Sequence, residues 1–369
     1  MKFNKWTLGL AAVGAVSMAS AVRADEAPKL VPVEAVSSTV ISGYVDVAGQ
    51  WTAGDPSGKN NGSAANQPFG LFAGNGKVDA FSLNALVISL DKALDESPWA
   101  SGYHVDLNWG TDAVGPAGAG PVRQAYVTMR TPVGNGIDWK VGGFDGVTGY
   151  EANTGYANPN YTRSYGYALN PTSELGLIGS YKIVDGVAVQ LGIGNRGNGS
   201  GAPVGLSSKN YIAALNLTAP ESFGFLKGST LNFGTVQTLD NGGVNNYSVN
   251  ATIVTPVTGL KFGLAFDRVD SLQMGDVNGN VYGAYATYQA TDKLGFNLRG
   301  EYVDADQYGQ GTEVTTTLEY DLWANVVSRL ELRWDHVEHG VMFNNGSGDG
   351  FTPSVGDTFL MALNLVYKF

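Results

Sequence analysis

The sequence contains no cysteine, which removes disulfide frameworks, thiolate metal sites and cysteine nucleophiles together. Positive charge is also short, with 22 Lys+Arg against 33 Asp+Glu and a net charge of −11. Nucleic acid, whose phosphates need neutralising cations, is therefore excluded as a partner. Histidine is scarce too: His104, His336 and His339 are the whole supply. His336 and His339 are three apart, which on a strand points them to opposite faces rather than around one metal. His104 shares a face with Asp106, but no serine is identifiable beside it, so a Ser-His-acid arrangement does not assemble. No enzyme, metal or cofactor is expected, and the histidines read as structural.

Beyond residue 24 no apolar run approaches the roughly 20 residues a spanning helix requires, and no stretch carries a helical period. The one apolar run lies at the start: MKFNKWTLGLAAVGAVSMASAVRA has Lys2 and Lys5, then apolar residues from Trp6 to Val22, and Val-Arg-Ala before Asp25. This is the pattern of a secretory signal peptide over residues 1–24, cleaved after Ala24. Its removal makes the chain more acidic by Lys2, Lys5 and Arg23. A polar tail follows over residues 25–39, expected in the periplasm.

What the chain has in quantity is glycine, 51 of 369 residues, and aromatics at 11%, a composition that suits many strands joined by many turns. Alternating segments recur along it: VISGYVDVAGQW, FSLNALVISL, YHVDLNWG, VRQAYVTMR, IDWKVGGF, ELGLIGSYKIV, VAVQLGIG and NYIAALNLT, then STLNFGTVQ, NYSVNATIV, LKFGLAFDRV, VYGAYATYQA, GFNLRGEYV, EVTTTLEYDL, VSRLELRWD and DTFLMALNLVYKF. These about 16 segments have the length of tilted membrane strands. Odd-numbered connections are long and polar, while even-numbered ones such as TPVGNG, VDG and ATDK tend to be shorter. The alternation predicts an all-β fold: a transmembrane antiparallel beta-barrel over residues 40–369, with long extracellular loops and short periplasmic turns.

The terminal segment shows why the barrel closes. Phe359, Met361, Leu363, Leu365, Tyr367 and Phe369 share one face, a greasy surface that a soluble sandwich would bury and that lipid accepts. Opposite faces of other strands are polar: Asp46, Asp106, Arg130, Lys140, Lys182, Gln190, Lys261 and Glu319, then Arg299 with Glu301, and Arg329, Glu331, Arg333 and Asp335. With lipid outside, that face must meet an aqueous lumen, and roughly 16 to 18 strands enclose a channel. Trp51, Trp109, Trp139, Tyr302, Trp323, Trp334 and Tyr367 would form the interfacial girdles.

The block KVGGFDGVTGYEA followed by NPNYTRSYGYALNPTSELGLIGSY, residues 158–181, resembles the OmpL-like family of outer-membrane beta-barrel porins. Gly149, Glu151, Asn158, Asn160, Tyr161, Arg163, Ser164 and Pro171 fit its pattern, Thr162 stands where Ser is common, and Glu174, Leu175 and Gly176 replace an expected His-Thr-Gly. The resemblance implies a porin-like barrel and brings no substrate residues with it. Such porins commonly form homotrimers, although no stretch here marks a subunit interface. A terminal strand ending in Phe369 resembles the signal that outer-membrane assembly machinery reads.

The expected function is passive diffusion of small hydrophilic solutes or ions, with lumen charges and the third long loop setting selectivity. The pore-lining or constriction candidates are Arg130, Lys140, Tyr161, Arg163, Arg299, Glu301, Arg329, Glu331, Arg333 and Asp335. Tyr156, Tyr161, Tyr165 and Tyr167 with Arg163 give the loop two readings, one folding into the lumen and narrowing it, the other packing over the barrel mouth. The alternative function is an occluded structural barrel or adhesin. GIGNRG at 192–197 lacks the following helix that a phosphate site needs. Asp276, Asn278 and Asn280 have calcium-loop spacing, but Val281 and Thr287 occupy the glycine and glutamate positions.

Overall fold

The structure, a computed structural model, describes residues 38–53, 77, 79–113, 121–195, 208–238, 243–271, 277–306, 309–340 and 356–369; of Ser271, Val277, His339 and Gly340 only the backbone is described. The expected leader, the tail up to residue 37, Asp276 and the end of GIGNRG lie outside the described residues.

Sixteen antiparallel strands close into one barrel. They are β1 (Val40–Ala53), β2 (Phe81–Lys92), β3 (Ser101–Trp109), β4 (Val122–Thr131), β5 (Ile137–Asp145), β6 (Ser173–Val184), β7 (Val187–Asn195) and β8 (Lys209–Thr218) in the first half. The second half is β9 (Thr230–Thr238), β10 (Val244–Val254), β11 (Leu260–Ser271), β12 (Val277–Gln289), β13 (Leu294–Ala305), β14 (Gly309–Trp323), β15 (Val326–Gly340) and β16 (Gly356–Lys368). Each strand pairs with its neighbours in sequence, and β16 returns to β1 over Tyr44↔Lys368 to Ala53↔Phe359. The ring has no free edge, which is the condition for a sheet to stand in hydrocarbon.

Side-chain period does the sorting. On β16, Phe359, Met361, Leu363 and Leu365 are exposed outward, while Leu360, Ala362, Asn364 and Val366 are buried inside the barrel. Leu330 and Leu332 are likewise exposed, and Arg329, Glu331, Arg333 and Asp335 between them are buried. Trp51, Trp109, Trp323 and Tyr367 are exposed on the outer wall.

The expected alternation of connection length holds for β1–β2, β5–β6, β7–β8 and β15–β16. It fails at β9–β10, β11–β12 and β13–β14, whose bounds leave only a few residues between strands. There the strands themselves are long, as in β12 and β14, so residues that would have formed loops continue the ladder. We term the end carrying the odd-numbered connections the loop end and the other the turn end.

Because lipid contact on β16 depends on its outer face alone, Leu363→Arg should destabilise the barrel by roughly 2–4 kcal/mol. Leu363 is 62% exposed near the middle of the strand. Equilibrium unfolding in phospholipid vesicles measures the change, and an unaltered midpoint would contradict the outward assignment.

Candidate functional site

The 27-residue stretch 146–172 between β5 and β6 enters the barrel instead of extending away from it. It holds a short 3-10 turn (Gly155–Ala157) and one short helix, α1 (Tyr165–Leu169). Ser164 caps α1, accepting the Tyr167 N–H at 2.9 Å. The turn and the helix, with loop side chains such as Asn158, which bonds both backbone groups of Ala152, satisfy part of the loop's backbone, and the remaining groups need partners elsewhere. They find them on the inward side chains of the wall.

Two glutamates hold the amides. Glu331 on β15 accepts from Tyr161 N at 2.5 Å and Thr162 N at 2.8 Å. Glu301 on β13 accepts from Tyr165 N at 2.6 Å and Gly166 N at 3.3 Å. Three arginines hold the carbonyls. Arg299 donates to Thr162 O at 2.8 Å and Arg163 O at 3.2 Å, and Arg333 donates to Arg163 O at 2.6 Å. Arg329 donates to the carbonyls of Gly155 and Asn158 at 3.3 Å and of Asn160 at 3.4 Å.

These charges are also paired with one another, as buried charges must be. Arg299 is 2.7 Å from both Glu151 of the loop and Glu313 on β14. Arg333 is 2.7 Å from Asp335, which also accepts from the Tyr165 hydroxyl at 2.6 Å. Glu301 and Glu313 sit directly opposite in the β13–β14 register, an arrangement that repels unless cations and donors intervene. Arg299 and the loop amides intervene.

The loop has further footholds around the ring. Val147 joins Tyr126, Phe144, Ile178, Ile212, Ala214 and Val236 in an apolar cluster over β4–β9. Gly149 accepts from and donates to Asn250 and Ser248 of β10. Tyr150 lies so close over Gly263 of β11 that a Cβ there would sit 2.3 Å from its hydroxyl. Gly166 likewise leaves room for Asp267, whose carboxylate a Cβ would meet at 2.4 Å. Asn170 donates to that carboxylate at 2.7 Å. On the β1–β2 side, Tyr161 reaches Lys77 at 3.1 Å and Asn84 at 3.3 Å, and Lys77 pairs with Asp112 at 3.0 Å. Burial lowers the Lys77 pKa while Asp112 opposes the shift, and burial raises that of Asp112.

Of the ten candidate residues, the structure brings eight together: Tyr161, Arg163, Arg299, Glu301, Arg329, Glu331, Arg333 and Asp335 are all buried around the docked loop. Arg163 donates to Ala152 O at 2.8 Å and Asn153 O at 2.7 Å and lies over the Tyr167 ring, tying the loop to itself. Arg130 stands apart near the turn end, bonded through Nε and Nη2 to Asp138 at 2.6 and 2.8 Å. Lys140 also stands apart on β5, its ammonium 4.9 Å from the centre of the Tyr126 ring. Glu151, Glu313, Asp267 and Asn170 were not among the sequence candidates. Glu313 and Asp267 were findable, since they share the inward parity of Glu319 and Lys261, whereas Glu151 and Asn170 required the path of the loop.

A second cluster lines β2–β5. His104 sits between Asp91 at 2.9 Å and Asp106 at 3.0 Å, and Arg123 bridges Asp106 and Asp145. His104 also stacks on Tyr126. His104 is thus held between two carboxylates and a ring. Among the described residues no group of acidic and histidine side chains is placed to hold a metal ion.

The model of the family described as "Putative beta-barrel porin-2, OmpL-like" matches this chain over residues 38–369. The chain belongs to this OmpL-like porin family. OmpL-like porins are barrels of the bacterial outer membrane, which places this chain there. Solved structures share the fold. An anion-selective porin from Comamonas acidovorans aligns with TM-score 0.60 and 12% identity over 90% of this chain and 99% of that one. The outer membrane channel DcaP of Acinetobacter baumannii gives 0.58 and 9% over 90% and 97%. In-vitro folded OmpT, an outer membrane protein of Vibrio cholerae, gives 0.58 and 12% over 90% and 97%. No curated protein is detectably similar in sequence.

Glu331→Ala leaves two loop amides and Thr317 without their shared acceptor. Each hydrogen bond to a charged group contributes about 1.5–3 kcal/mol, so the loop should dock several kcal/mol less firmly. The expected outcome in planar bilayers is larger, noisier single-channel current from a barrel that still migrates as folded on unheated gels. Unchanged current would mean that the other anchors suffice.

Proposed function

We propose that this porin carries small hydrophilic solutes and ions passively across the outer membrane, through a water-filled channel that the 146–172 loop narrows. The observation that carries the reading is the inward face of the barrel, polar on strand after strand within a ring of 16, the size at which a barrel encloses water. The docked loop then sets the bore, and its rigid attachment keeps that bore constant.

Ion preference follows from which charges surround the path. Around the loop, Lys77, Arg163, Arg299, Arg329 and Arg333 stand with Asp112, Glu151, Asp267, Glu301, Glu313, Glu331 and Asp335, so carboxylates are in excess. The Asp91–His104–Asp106–Arg123–Asp145 strip repeats the imbalance on the opposite wall. A weak cation preference is therefore proposed, opposite in sign to the selectivity of the anion-selective Comamonas porin. Lys140, which among the described residues has no carboxylate within ion-pair distance, opposes that preference. A cleaved leader over residues 1–24, delivery by the assembly machinery through the strand ending in Phe369, and a homotrimeric state belong to the same proposal.

A second reading draws on the reach of the loop, which touches β1–β2 and β9–β15 as well as its own strands. A loop so widely anchored could close the lumen, leaving a structural barrel or adhesin. Single-channel recording of purified, folded protein separates the two. The channel reading expects steady steps, and in a tenfold salt gradient a reversal potential of cation sign that grows in Lys140→Gln. Silence from folded protein would favour the occluded barrel, and a reversal potential of anion sign would overturn the selectivity.

A further inference from the structure

Arg130 and Trp139 take no part in docking the loop, and both border a recess in the outer wall. Its floor is a cross-strand row near the turn end, where Ser101 of β3, Met129 of β4, Trp139 of β5 and Gly179 of β6 are registered side by side. Met129 and the nearby Leu177 are exposed outward, so the row belongs to the face that meets lipid. Between the indoles of Trp99 and Trp139 the wall opens into a cavity of about 470 Å³, lined also by Ser101, Met129 and Leu177. Both sides of the cavity are fixed. The Trp139 indole donates to the Thr131 hydroxyl at 3.1 Å and extends over Gly179, where a Cβ would stand 2.7 Å from the ring. Trp99 is carried by the connection 93–100, which Arg130 holds twice. The Arg130 amide donates to Ala100 O at 2.9 Å, and its guanidinium donates to Asp95 O at 3.3 Å. Asp138 fixes that guanidinium in turn.

We propose that this cavity is a seat for one acyl chain of a phospholipid, which enters between Trp99 and Trp139 from the leaflet at the turn end. The occupant follows from continuity with the lipid-facing wall. Val127 and Val141, registered with each other and with Leu177, are exposed beside the cavity, so it opens directly onto hydrocarbon. Its lining is almost wholly apolar, and water there would lack the polar partners that hold an ordered water in place. A hydrocarbon chain gains dispersion contacts with each methylene it seats. Two indoles at the mouth suit the headgroup boundary, where tryptophan gathers because its ring is apolar and its N–H polar. Trp99 is 73% exposed, so it reaches into that boundary while Arg130 keeps its connection latched to the barrel. Because both indoles are held, the cavity is formed before a lipid arrives, and little ordering cost is left for binding.

The test places the full protein in phosphatidylethanolamine vesicles doped with the same lipid bearing a diazirine on one acyl chain. The protein is then extracted into detergent before photolysis, so that only retained lipid reacts. The wild type should keep one lipid per chain by native mass spectrometry, with the label concentrated on Trp99, Ser101, Met129 and Trp139. Ser101→Trp fills the cavity from its floor and should lose both the retained lipid and the label, while still migrating as folded on unheated gels. Trp99→Ala removes one side and should lose the lipid as well, and it carries the comparison should Ser101→Trp fail to fold. A wild type that keeps no lipid would overturn the seat, as would label spread evenly over the outer wall. Equal retention in the wild type and the folded variants would overturn it too. An oligomer that Ser101→Trp dissociates, with no lipid in the wild type, would make the cavity a contact with a second copy instead.

Discussion

Everything distinctive about this barrel depends on one constraint: a loop that enters the lumen with only a 3-10 turn and one five-residue helix of its own must have its remaining peptide groups bonded by side chains, many of them on the wall. Backbone donors and acceptors sequestered from water each cost free energy when unpaired. The wall answers with side chains of complementary chemistry, carboxylates toward N–H groups and guanidiniums toward carbonyls. Glu301 and Glu331 take successive amides, and Arg299, Arg329 and Arg333 take carbonyls between them. The arginine fork suits this task, because one guanidinium can serve a carboxylate and a carbonyl at once.

The same constraint explains why the charged residues are so deeply buried inside the barrel. Buried ion pairs are weak contributors to stability in general, since desolvation offsets their attraction. Here they fix position. The opposed Glu301 and Glu313 would repel in an empty barrel and become tolerable only with Arg299 between them and the loop amides on Glu301. Loop and wall are therefore each incomplete alone, and their association selects one geometry.

Much of this was legible in the sequence, and the boundary is instructive. All sixteen strands were readable, because alternation of apolar and polar residues is a local property and the lipid makes it strict. The charged faces of β13 and β15 were readable for the same reason: Arg299 with Glu301, and Arg329 through Asp335, fall at alternate positions. What alternation could not say is what those faces meet. They were read as lining open water, whereas the structure lays Asn160 to Gly166 against them. That contact joins residues about 135 to 170 positions apart, with no local pattern to announce it. Arg130 and Lys140 share the same inward parity yet lie outside the cluster, since parity gives direction and says nothing of depth along the lumen. Loop lengths misled on β9–β14, where strands simply run on past the expected turn points.

The docked loop also straddles the seam where the ring closes. Tyr161 is held by Glu331 on β15 and by Asn84 on β2, while Asn364 of β16 donates to Asp46 of β1 beneath it. The first and last strands are therefore bridged twice, once by their own ladder and once by a strut passing over them. Until β16 meets β1 the receptor for the strut is split in two, so loop docking belongs to the final stage of assembly. The step that seals the wall is thus also the step that completes the seat of the loop.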